Sequence, residues 1–223
     1  MYDSTAKESA ACFSMSSGSY HEKFIDDVSE GVAHLLEHSI FLKMKSRERN
    51  LLSTWNAWTG DESTQYMFAT SNKNFLNSFQ IYWRLLSNFT KTDKIYNETN
   101  AVDSEFKMDL QNEDWIKELL QSYVSDNKEH PAKRFSIGSE KTLKHMGIDE
   151  EVFVFYQNFY STQSSSIVAI ISSDKEEEVS PNGMTSLTPL VSKEVSNSEL
   201  ERISNNMVNT LQMDRQSLKD TAN

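Results

Sequence analysis

The run from Val32 to Leu42, VAHLLEHSIFL, is apolar on nearly every side and yet carries two imidazoles and a carboxylate. Residues at i, i+3 and i+4 share a helix face, so on a helix His34, Glu37 and His38 converge on one point. A helix apolar around its whole circumference is a buried helix, and buried ionisable groups are costly unless they find partners. A divalent cation is one such partner. A pair of core histidines hydrogen-bonded to the glutamate is the other. The H-x-x-E-H spacing favours the cation, with histidines as ligands and glutamate as general base.

A chain of 223 residues can bury one good core, or two small ones. It has 33 acidic against 22 basic residues, a formal charge of −11, and no basic stripe that would follow a phosphate backbone. Nucleic acid is therefore excluded as a partner, and the acidity reads as solubility. Cys12 is the single cysteine, which rules out an internal disulfide framework and a thiolate metal site. No segment approaches the ~18 apolar residues of a membrane span. The first residues, Met1 to Glu8, lack the basic and apolar regions of a signal peptide. Together these features predict a cytoplasmic protein without a membrane partner.

Residues 10–20 alternate, with Ala11, Phe13 and Met15 on one side, and predict a half-buried strand ending at Ser17-Gly18-Ser19. A polar loop, 21–30, leads through Gly31 into the apolar helix, which fades into the charged run 43–50. Thr64, Tyr66 and Phe68 mark a second strand over 63–70. A helix over 72–89 carries Phe75, Phe79, Tyr82, Leu86 and Phe89 on its apolar face, and with Trp83 these aromatics read as core. One longer helix is expected over 95–124, with Glu98 and Glu105 two turns apart on one stripe. One or two helices surround Gly147. The β-branched run Ile167 to Ile171 has the pattern of an interior strand. The segment 173–198 reads as a flexible polar insertion, and 199–223 as a helix with Leu200, Ile203, Met207 and Leu211 on one face, followed by a tail. This order of elements predicts a mixed α/β or α+β domain over residues 1–172.

A catalytic zinc commonly takes three protein ligands and leaves a fourth position for water, so the two histidines need a third partner. The best candidate lies within Glu98-Thr99-Asn100-Ala101-Val102-Asp103-Ser104-Glu105. At this point the chain resembles the insulinase/pitrilysin family of zinc metallopeptidases. Gly31 to Phe41 is similar to that family's metal helix. Asn56-Ala57-Trp58-Thr59 with Glu62, Thr64, Tyr66 and Phe68 resembles its active-site edge strand, and Glu98 to Glu105 its downstream glutamate motif. His130-Pro131, Phe135, Gly138 and Phe159-Tyr160-Ser161 continue the similarity in order.

The resemblance implies an α+β fold with a mixed, mostly antiparallel sheet packed against helices. This is a metallohydrolase half-domain of the mitochondrial-processing-peptidase type, here incomplete at both ends. It implies that His34, His38 and Glu105 bind Zn2+ and that Glu37 is the general base. Glu98 would be a second acidic catalytic residue beside the metal, and Asn56 and Ala57 would present polar groups to the substrate backbone. His21, His130 and His145 match no ligand position and read as loop or surface residues. The implied reaction is zinc-dependent hydrolysis of internal peptide bonds, with a complementary peptidase half or homologous subunit as partner. The alternative is a non-catalytic member that serves as a binding or scaffold subunit.

Overall fold

The structure, a computed structural model, describes residues 7–124 and 130–171. The alternating segment at the start forms strand β1 (Glu8–Met15), with Ala11, Phe13 and Met15 buried on one face. The apolar motif is helix α1 (Val32–Ile40), and the charged run beyond it holds the short helix α2 (Ser46–Arg49). Strands β2 (Thr54–Thr59) and β3 (Thr64–Ser71) form a hairpin. Helices α3 (Phe75–Ser87), α4 (Lys94–Asp109), α5 (Glu113–Val124), α6 (Glu140–Leu143) and α7 (Ile148–Phe159) follow, and strand β4 (Ser165–Ile170) closes the described chain. The sheet order is β2-β3-β1-β4, and all three pairings are antiparallel. The fold is the α+β class expected, a sheet with helices packed on it. No helix among the described residues is long and apolar enough to cross a membrane.

Register decides which side chains meet. Ala57 lies opposite Tyr66, Tyr66 opposite Phe13, and Phe13 opposite Ile167, so these four share one face of the sheet. Phe13 packs against Phe79 and Tyr82 of α3, with ring centroids 4.9 and 6.0 Å apart, and Phe68 lies 4.7 Å from Tyr82. The predicted face of α3 is the buried one: Phe75, Phe79, Tyr82 and Leu86 are all covered, as is Phe89 just beyond it. Trp83 is only half-buried. Helix α1 packs between β2, α4 and α7, burying Val32, Ala33, Leu35, Leu36 and Ile40.

Three expectations are corrected. The single helix over 95–124 is two, because the chain turns at 110–112, where the Asn112 N–H bonds back to the Asp109 carbonyl. Asn112 followed by Glu113 and Asp114 is a helix-start signal, and it competes successfully with continuation of α4. The β-branched run at 167–171 begins in β4, which among the described residues lies at the edge of the sheet rather than in its interior. Ile167, Val168 and Ile170 are all exposed among the described residues. The polar segment 21–30 begins inside a 3-10 turn, Ser19–Phe24, whose Glu22 is fully buried. His21 there packs its ring 5.1 Å from Phe159, and His145 approaches Ser29, so neither is a bare surface residue. The expected insertion at 173–198 and the helix and tail at 199–223 lie outside the described residues.

Phe13 ties sheet to helices through two aromatic contacts at full burial. Phe13→Ala is expected to lower unfolding free energy by about 3–5 kcal/mol in urea titration. A loss below about 1 kcal/mol would show that this layer is not close-packed.

Candidate metal centre

The site begins with the backbone of α1. Its N-terminal residue Gly31 has φ +92°, and a Cβ there would meet the Cα of Gly138 at 2.3 Å. Only two glycines allow the chains this close. The contact brings the Ile137 carbonyl to 2.9 Å from His34 Nδ1. A carbonyl can only accept, so Nδ1 carries the hydrogen and Nε2 of the neutral ring keeps its lone pair. His38 is held in the same sense by a different partner: Glu98 Oε1 lies 3.1 Å from its Nδ1. The two rings stand nearly perpendicular, 4.8 Å apart.

Both Nε2 atoms face Glu105 from α4. Its Oε2 is 3.2 Å from His38 Nε2 and 3.5 Å from His34 Nε2, and the three ligand-type atoms all lie within 4.8 Å of one another. Tetrahedral donors about 2.1 Å from a zinc ion would be spaced by about 3.4 Å, so both distances to Glu105, which serve as polar contacts here, leave room for a shared cation. The donor set, two imidazoles and a carboxylate with their remote nitrogens already tied, also fits a divalent metal chemically. The expected trio converges. Glu98 sits behind His38, on the side away from the other ligands.

Glu37 is nearly buried and accepts a hydrogen bond of 2.6 Å from Thr59 Oγ1 on β2. With His34 and Glu105 it lines a cavity of about 350 Å³, walled also by Ala57, Trp58, Asp61, Asp109 and Trp115. Ala57 therefore reaches the cavity. Asn56 does not by its side chain, which pairs in register with Met67 on the opposite face of the sheet. Beneath the site the hydroxyls of Tyr66 and Tyr160 meet at 2.8 Å. Burial, aided by the Glu37 charge, pushes both phenols well above their ordinary value, so they stay neutral. Thr59 and the Ile137 carbonyl are contributors that sequence reasoning did not single out. Thr59 stood inside a quoted motif, whereas Ile137 acts through its backbone and leaves no residue-type signal.

No family model matches the chain. It is 30% identical over 207 residues to the insulin-degrading enzyme homolog of Dictyostelium discoideum, covering 86% of this chain and 20% of that protein. It is 32% identical over 150 residues to the A-factor-processing enzyme of Saccharomyces cerevisiae, covering 59% and 14%, and 30% identical over 159 residues to mouse insulin-degrading enzyme, covering 63% and 15%. The chain thus spans a fifth or less of the length of these relatives. Among solved structures it resembles pitrilysin at TM-score 0.69 and 20% identity, covering 85% of this chain and 20% of that one. An M16-like peptidase from Alicyclobacillus acidocaldarius matches at TM-score 0.67 and 17% identity, covering 87% and 46%.

Charge at the centre is strongly coupled. Burial alone would lower the pKa of His38, but its hydrogen bonds to Glu105 and Glu98 and the nearby Glu37 outweigh that and hold the ring at about 9. The same His38 contact holds Glu105 below the usual carboxylate range. A raised histidine pKa contributes stability that is complete below the unfolded value near 6.5 and is lost as pH rises through 9. In chelator, the melting temperature of the chain should therefore fall more steeply between pH 6.5 and 9 than that of His38→Asn. Parallel profiles for the two proteins would mean that the ring carries no such charge.

Proposed function

The chain belongs to the insulinase/pitrilysin family, and we propose that it carries the zinc-holding half-domain of an endopeptidase. The observation that supports this most is the convergence of His34 Nε2, His38 Nε2 and Glu105 Oε2 beside a carboxylate that is not among them, Glu37. Three ligands and a separate base are what metal-assisted hydrolysis requires. Bound zinc supplies a Lewis acid for the scissile carbonyl and lowers the pKa of a coordinated water toward ~7.

The remaining work falls to the protein. Glu37 takes the proton of the attacking water and hands it to the leaving amine. Thr59 holds one Glu37 oxygen and leaves the other for that proton. Glu98 keeps His38 turned with Nε2 inward. Strand β2 lies at the sheet edge beside the cavity, and its bond from Gly60 N–H to the Ser63 carbonyl sets the parity of the hairpin. By that parity the backbone groups of Trp55, Ala57 and Thr59 point away from β3. An extended peptide can add there as a further strand, which would lay its scissile bond beside Glu37. Asn56 then contributes by holding β2 in register rather than by touching substrate. The relatives are five or more times longer than this chain's match, and full turnover is proposed to need a complementary half.

Metal analysis of the purified chain should find about one zinc per molecule, lost in His38→Ala because one of three ligands is gone. Metal-free parent protein would instead support a scaffold role. With the complementary half supplied, Glu37→Gln should keep its zinc and lose cleavage of a quenched peptide by at least about 100-fold. Turnover equal to the parent's would remove Glu37 as the base.

A further inference from the structure

Helix α1 starts without a cap of its own, for reasons visible in its first residues. The N-cap position is Gly31, which cannot carry a side chain because of its positive φ and its contact with Gly138. Three residues on, where a capping box would place Glu or Gln to reach back to the N-cap N–H, stands His34, already committed to Ile137 and the centre. Both positions that ordinarily satisfy the first N–H groups serve other purposes.

Glu22 fills both roles from nine residues upstream. Its side chain is fully buried. Oε1 accepts from the Ala33 N–H at 2.9 Å and from the Gly31 N–H at 3.2 Å, and Oε2 lies 3.2 Å from the same Gly31 nitrogen. Arg134 Nε stands 3.7 Å from Oε2, near enough to offset the charge, while the same guanidinium donates to the Val28 carbonyl at 2.7 Å. Burial outweighs the Ala33 and Gly31 N–H groups and Arg134 and pushes the Glu22 carboxyl up to about 8, so it is as hydrogen-bond acceptors for those N–H groups that its oxygens define the position of the first turn. His34 lies in that turn.

We infer that Glu22 is a positioning residue for the metal centre: it caps α1 from outside the helix and so sets where His34 presents Nε2. This rests on the zinc reading above. Glu22 touches neither metal nor substrate and acts through the helix backbone. Its loss should loosen the His34 end of the site more than the His38 end, which lies a full turn deeper.

The test compares Glu22→Ala, which removes the acceptor, with Leu86→Ala, a core truncation in α3, which supplies no residue to the centre, in the full chain. Zinc affinity is read by chelator competition and ligand geometry by the visible spectrum of the cobalt-substituted proteins. Glu22→Ala is expected to weaken zinc about 10–100-fold and shift the cobalt bands. Leu86→Ala should lower the melting temperature while holding affinity within about twofold of the parent. Parental affinity and spectrum in Glu22→Ala, or equal weakening in both variants, would overturn the inference and leave the zinc reading intact. A parent that binds no zinc would overturn both. Should Glu22→Ala fail to fold, Glu22→Asp, which keeps the carboxyl but shortens its reach, takes its place under the same two outcomes.

Discussion

One carboxylate oxygen shared by two imidazoles organises this molecule. Glu105 Oε2 stands within 3.5 Å of both Nε2 atoms, and each imidazole is held at its Nδ1 by a second partner. Those partners come from different segments of the chain: a backbone carbonyl at Ile137 and a side chain at Glu98. The centre therefore ties α1 to α4 and to the loop before α6. Each of those segments is held independently, α4 through the buried Ile95 and Val102 and the loop through the Gly31–Gly138 contact. Ligand spacing follows from packing made elsewhere, as preorganised sites require.

The same principle explains why β2 runs as it does. Its Trp55 rests against Phe41 at 5.0 Å, just past the end of α1, and its Thr59 grips Glu37. A strand fixed at both ends against one helix is poorly placed to slide, so its free backbone edge keeps a constant height above the cavity. Edge strands are normally a hazard, because they invite further pairing. Here the pairing is the proposed use.

Much of this was legible in the residues, and the reasons for the rest are specific. Periodicity identified β1, β3 and the apolar face of α3 because each buries one face only, which is the condition under which period carries information. It did not distinguish the place of β4, which is at the sheet edge among the described residues, because a β-branched run is equally compatible with an interior strand and with an edge strand exposed at Ile167, Val168 and Ile170. It joined α4 to α5 because Glu98 and Glu105 fit one stripe and the turn at 110–112 contains neither Gly nor Pro. Motif spacing and resemblance picked out His34, His38 and Glu105, which the fold brings together, since these members are distinguished by residue type. The supports were not: a carbonyl at Ile137 has no signature, and Glu22 looks like any acid in a polar segment.

Yet Glu22 left an indirect mark. A helix led by glycine, with a histidine where a capping glutamate belongs, has unsatisfied donors in a stretch too apolar to hydrate them. Buried N–H groups are almost always paired, so the sequence demanded an acceptor from somewhere else in the chain. The demand was readable although the supplier was not. Departures from local rules of this kind collect where function has taken the usual positions, and the compensating residue then sits outside the motif it supports. In this chain that places part of the metal centre's rigidity in Glu22, a residue that no spacing argument would select.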